Sequence, residues 1–174
     1  MKNVANPFIL VLAAAAGCTQ HSPQDTRPNI ILIVADDHGL DALGCYGNSV
    51  IKTPNLDSLA SRGVRFKNSF CTSASSSASR SVIMTGLYNH STGHYGHAHD
   101  YHHFSTYDTV KSLPVMLADN GYLTARIGKY HLAPDKVYSF QQVLTANPRN
   151  TVEMANNSKE FITATGKKQD NNTH

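Results

Sequence analysis

No two cysteines in this sequence have the spacing of a metal clip. There are three, Cys18, Cys45 and Cys71, and none forms a CxxC pair, which excludes a zinc ribbon and a dithiol redox motif. Charge is also sparse, at 16% of residues with a net charge of +3. That excess is too small for a nucleic-acid-binding surface or a basic membrane-binding face. Pro7 to Ala16 is apolar but too short to cross a bilayer as a helix. Heptads and internal repeats are missing. Gly128-Lys129 is not a phosphate-binding loop, because Tyr130 stands where Ser or Thr is required. No HExxH pair of histidines occurs either.

Histidine, by contrast, is abundant. Of ten, six (His90, His94, His97, His99, His102 and His103) fall in one short window. Their irregular spacing suits solvated or substrate-facing imidazoles better than a zinc site. The chain has 174 residues with 40% hydrophobic content, enough for one domain with a core.

The N-terminus reads as a targeting segment rather than part of the fold. Lys2 precedes the apolar run, and Ala15-Ala16-Gly17-Cys18 resembles a bacterial lipobox. Residues 1–18 are therefore expected to be a lipoprotein signal peptide, with Cys18 lipidated, and residues 19–27 a polar tether. The chain is expected to be exported, to the periplasm or outer membrane and cell surface, touching membrane only through the anchor at Cys18. Cys45 and Cys71 could pair in that compartment or remain as buried free thiols.

Asn29 to Ala35 is apolar without alternation, which predicts a central strand buried on both faces. It ends in Asp36-Asp37. Paired carboxylates at the carboxyl end of such a strand suit a hard cation, because both offer oxygen ligands. A solvated turn is the plainer alternative. Thr53-Pro54 opens a helix that closes at Arg62-Gly63. Val64 to Phe70 alternates like a strand. Ser112 to Gly121 predicts another helix, Leu123 to Gly128 a second clear strand, and Asn150 to Thr165 a last helix. Lys129 and His131 stand just past that strand.

Between these elements lies Ser75-Ser76-Ser77-Ala78-Ser79-Arg80, followed by Ser81 to Gly86. A helix should begin inside the serine run, with its first amides free to face an anion and Arg80 adding a fixed charge. Ser76 and Arg80 are one helical turn apart, so they can share a pocket. A serine-rich cap on an ordinary helix fits the same residues. No base is evident beside Ser76 in the sequence.

The strand with Asp36-Asp37, Gly44-Cys45-Tyr46-Gly47-Asn48, Thr53-Pro54-Asn55-Leu56-Asp57, Ser76-Ser77-Ala78-Ser79-Arg80 and Gly128-Lys129-Tyr130-His131 occur in that order. Together they resemble the N-terminal part of a sulfatase of the alkaline phosphatase superfamily. Thr85-Gly86-Leu87, His99 to Phe104, Lys111 to Pro114 and Gly128 to Pro134 are similar to the heparan N-sulfatase group. The resemblance runs from about Arg27 to Phe140. It implies an α/β fold, an alkaline phosphatase-like mixed sheet flanked by helices, over residues 28–140, with 141–174 a weakly defined tail.

The resemblance also implies roles. Ser76 would be oxidised to formylglycine, whose hydrate attacks sulfur and then expels sulfate. Asp36 and Asp37, with Ser76, would hold calcium. Arg80 would stabilise the hydrate, Lys129 would contact the sulfate, and His131 the hydrate or sulfate. The partners implied are a sulfated glycan and a formylglycine-generating maturation enzyme, with no nucleic acid. Members of that group are longer than this chain, so an inactive N-terminal fragment lacking further metal ligands is expected. Two other functions use the same residues: a phosphoryl hydrolase with Ser attacking phosphorus, and a non-catalytic lipoprotein that binds anionic glycans through Arg80, Lys129 and the histidine loop.

Overall fold

The computed structural model describes residues 27–171. The predicted signal segment, Cys18 and nearly all of the tether lie outside the described residues. Among the described residues no helix is long and apolar enough to cross a membrane.

Two single-turn helices, Leu40–Ala42 and Gly44–Tyr46, lead into α1 (Pro54–Arg62). The Thr53 hydroxyl accepts a bond from the Gly44 amide at 2.9 Å and donates to Asp57 Oδ1 at 3.0 Å. Asp57 in turn accepts from the Cys45 amide at 2.7 Å. The predicted cap and first-turn carboxylate thus tie α1 back to the preceding turn.

Then come α2 (Ser76–Thr85), the short α3 (Asn89–Thr92) and α4 (Leu113–Asp119). The start and stop of α2 follow the sequence signals. Ser75 is the extended residue before it, and Gly86 closes it at φ 68°, its amide bonded to Val82 O at 2.8 Å. That left-handed φ is where glycine carries no Cβ penalty. At α4, Ser112 stands at the expected cap position, but its hydroxyl donates to Val137 O at 2.5 Å instead.

β1 (Ala125–Ile127) and β2 (Gln142–Leu144) pair in parallel, Arg126 opposite Val143. β1 lies within the predicted 123–128 strand; β2 is too short to stand out in the sequence. α5 (Thr151–Asn171) follows the expected last helix and extends it. Helices with a parallel strand pair make this an α/β fold, as expected.

Two predicted strands do not form. Residues 29–35 run without strand pairing, and Ile31 and Ile33 are 69% and 77% exposed. Residues 64–70 are also unpaired, with Phe70 91% exposed. The cause is physical: a strand exists only when a neighbour accepts its backbone bonds, and none of the described residues pairs with either segment. Residues 29–35 keep the apolar composition, and 64–70 the alternation, of sheet-forming segments. Cys45 and Cys71 are both free thiols, and Cys71 is exposed rather than buried.

The apolar core is small. Leu132, Val137 and Tyr138 are buried, with Met84 of α2, Val110 and Tyr130 packed against them. Beside it runs a buried polar layer of Ser77, Ser81, His94, Thr106 and Ser112. Every described buried side-chain nitrogen or oxygen has a partner, as the cost of an unmade buried hydrogen bond requires.

Candidate active site

The first turn of α2 is the organising element. It presents Ser76 half-buried while Ser77, Ala78 and Arg80 are buried beneath. Ser77 anchors the turn. Its hydroxyl donates to His131 O at 2.8 Å and lies 2.7 Å from His94 Nε2. His94 Nδ1 meets Thr106 Oγ1 at 3.2 Å, and Thr106 meets the Tyr138 hydroxyl at 2.5 Å. Asn89 braces the same turn, its amide donating to Ala78 O at 3.1 Å and His94 O at 2.7 Å. Burial holds the His94 pKa below its usual value, so the ring is neutral and can act as one donor and one acceptor in this chain.

Asp36, Arg80 and Lys129 meet. Lys129 Nζ lies 2.8 Å and 3.0 Å from the two Asp36 carboxylate oxygens. Arg80 Nη2 is 3.4 Å from Asp36 Oδ1, and Arg80 Nη1 donates to Lys129 O at 3.1 Å. The hydrogen bond from Lys129 is the main reason the Asp36 carboxyl titrates below its ordinary range, with Arg80 adding to it. Asp37 is exposed and sits at φ 51°. His131, across the site, sits at φ 54°. Left-handed backbone at two non-glycine residues that flank one site is where strain tends to be held for function.

Ser76 does have a base beside it, contrary to the reading of the sequence. His131 Nδ1 lies 3.2 Å from Ser76 Oγ. Burial is the first cause holding the His131 pKa down, followed by His99, Lys129, His97 and Arg80. The ring is therefore neutral near pH 7 and able to accept the Ser76 proton. Behind it, His131 Nε2 is 2.7 Å from His99 Nδ1, and His99 Nε2 is 3.1 Å from Asp100 Oδ2. His131 was legible from its place after β1. His99, Asp100 and His94 were not, because they lie in a loop without period and contact the site only through the fold.

A sequence profile of the Sulfatase family matches residues 28–173. The chain belongs to the sulfatase family. The fold of that family's domain is alkaline phosphatase-like, and the helices and parallel strands above are a portion of it. This sulfatase-family chain is 42% identical over 132 residues to human N-sulphoglucosamine sulphohydrolase, covering 75% of this chain and 26% of that protein. It is 40% identical over 136 residues to the N-acetylglucosamine-6-O-sulfatase of Bacteroides thetaiotaomicron, covering 76% and 23%. Human steryl-sulfatase is 41% identical over 114 residues, covering 62% and 19%. The chain spans about a quarter of the length of the first two relatives.

Proposed function

We propose that this chain carries the nucleophile side of the active site of a sulfate-ester or sulfamate hydrolase acting on sulfated glycans of the heparan type. The supporting observation is Ser76 at the start of α2, 3.2 Å from His131, on the same helix as an Arg80 that meets Lys129 and Asp36. The relatives named for N-sulphoglucosamine and N-acetylglucosamine-6-O-sulfate point to an amino-sugar substrate.

Each residue has a task that its chemistry can perform. Arg80 and Lys129 are the cations that would meet an entering sulfate group, and both would turn part of their bonding from Asp36 to its oxygens. Neutral His131 holds or takes a proton at Nδ1, facing the oxygen of residue 76. Ser77 keeps that geometry by binding the backbone of His131. Oxidation of Ser76 to formylglycine by a maturation enzyme would supply a hydrated aldehyde as the oxygen nucleophile.

Calcium fits the donor type but not yet the donor number. Asp36, Asp37 and residue 76 offer oxygens, which suit a hard cation, whereas calcium takes about 6–8. In this structure Asp36 is held by Lys129 and Arg80. Calcium there would polarise the sulfate oxygens, and these residues alone would leave its shell incomplete. We therefore expect the 174 residues by themselves to be inactive. The lipobox-like Ala15 to Cys18 supports export and anchoring through Cys18.

The Ser76–His131 contact also favours a second reading. An unmodified serine beside a neutral imidazole can attack phosphorus, giving a phosphoryl hydrolase. A binding experiment separates the main reading from simple anion capture. Titrating the chain with N-sulfated and desulfated glucosamine, observed by amide NMR, should shift Arg80, Lys129 and His131 with the sulfated sugar alone. Equal responses to both sugars, or to inorganic phosphate, would count against it.

A further inference from the structure

We propose that His97, His99 and His131 form a three-histidine site for one borderline divalent transition metal ion, such as zinc or nickel, separate in chemistry from any oxygen-ligated calcium. One ring nitrogen of each lies within 4.8 Å of the other two. The rings are already gathered. His99 and His131 have centroids 4.7 Å apart, His97 and His99 5.1 Å, and His97 and His131 5.5 Å with an interplanar angle of 12°.

The outer contacts turn this cluster into a site. His97 Nδ1 lies 3.4 Å from Ser75 Oγ, His99 Nε2 3.1 Å from Asp100 Oδ2, and His131 Nδ1 3.2 Å from Ser76 Oγ. Each imidazole thus has one nitrogen against an oxygen. If each ring donates its N–H to that oxygen, three lone pairs remain: His97 Nε2, His99 Nδ1 and His131 Nε2. This is how metal-ligating histidines are oriented, with the second nitrogen tied to a carboxylate or another oxygen. The rearrangement needs no proton loss. The hydrogen shared between His131 Nε2 and His99 Nδ1 at 2.7 Å moves to His131 Nδ1, and the ion takes its place.

The distances suit the ion after modest torsional adjustment. Two nitrogens on a tetrahedral zinc stand about 3.3 Å apart, from zinc–nitrogen bonds of about 2.0–2.1 Å. The His99–His131 pair must open slightly and the widest pair close. His99 is exposed, which leaves a path for the ion and room for a water as fourth ligand. Imidazole nitrogens select zinc, nickel, cobalt or copper over calcium and magnesium. The geometry stands whether or not the chain hydrolyses sulfate, since His131 is a ligand here by position alone.

Cobalt(II) alone is the probe, added to the purified full chain and followed by visible absorption. One equivalent should give the strong band of a four-coordinate ion, undiminished by millimolar-scale excess calcium. His97→Gln and His99→Gln should each abolish the band, and Asp100→Asn should weaken binding about tenfold or more. His90→Gln and His103→Gln, outside the cluster, should leave it unchanged. Should His99→Gln misfold by circular dichroism, His99→Cys restores a ligand and should show an intense thiolate-to-cobalt band. A wild-type spectrum of hydrated cobalt, or a band that survives in His97→Gln and His99→Gln, overturns the proposal.

Discussion

Lys129 Nζ bonds both carboxylate oxygens of Asp36, at 2.8 Å and 3.0 Å, across a sequence separation of 93 residues. The two residues follow different extended segments, one ending at Ala35 and the other at Ile127. Their meeting brings Lys129 to the same carboxylate that Arg80 contacts. The pair is partly exposed, at 40% and 41%, so its contribution to stability is small and screened by salt. Its value lies in setting the charge state and position of Asp36.

Removing Lys129 should therefore be read on Asp36 itself. In the wild type the Asp36 carboxyl titrates below the ordinary aspartate value of 3.8. Lys129→Met should raise it toward that value, with Arg80 keeping part of the shift. Carboxyl-carbon NMR titration measures this directly. The sign follows from linkage: a depressed carboxyl stabilises the fold above its unfolded pKa, and that stability fades as pH falls through the folded pKa. Lys129→Met should thus lessen acid sensitivity below about pH 4. An unchanged Asp36 titration would break the assignment of Lys129 as its main partner.

His94 should make the fold sensitive to mild acid. Its ring is fully buried between Ser77 and Thr106, and burial depresses its pKa. The unfolded chain takes up a proton near pH 6.5, whereas the folded chain resists it. Stability should be full above about pH 6.5 and decline as pH drops from there through the folded pKa. His94→Leu should cost about 1–3 kcal/mol at pH 7.5, because Ser77 and Thr106 each lose a partner, and should flatten the decline. Urea denaturation at pH 7.5 and pH 5.5 compares the two. A wild-type stability that does not fall between those values would contradict the buried neutral ring.

What could be read from the sequence was local chemistry. α1 starts at Pro54 and α2 closes at Gly86 because such signals act within a few residues, although neither Thr53 nor Ser75 makes a side-chain cap bond. Ser76, Arg80, Lys129 and His131 were legible from their places at element ends and in ordered motifs. Pairing was not legible. Residues 29–35 have the composition of a buried strand, yet a strand also needs a neighbour, and none among the described residues bonds to them. The contacts of His94, His97 and His99 were not legible for a related reason. The three histidines sit in a loop with no period, and Ser75, Ser77, Thr106 and His131 reach them only through the fold.

Catalysis should need more oxygens than this chain supplies around Asp36. Purified alone, the 174 residues should show no calcium-dependent turnover of an aryl sulfate, even when residue 76 is modified. Calcium should bind weakly in calorimetry, and Asp36→Asn should weaken it further. Calcium-dependent sulfate release by the isolated chain, abolished by Ser76→Ala, would show the site to be complete and the count of ligands above to be wrong.

Residue 76 is proposed as the reacting position, prepared by oxidation. Mass spectrometry of the tryptic peptide Asn68 to Arg80 tests it, using chain expressed with a formylglycine-generating enzyme that accepts serine. The expected peptide is lighter by two hydrogen atoms, or has that mass plus one water, with fragmentation placing the change at Ser76 and not at Ser75, Ser77 or Ser79. Ser76→Ala should abolish the change. An unmodified serine at position 76 in that host, or a change at a neighbouring serine, would contradict it.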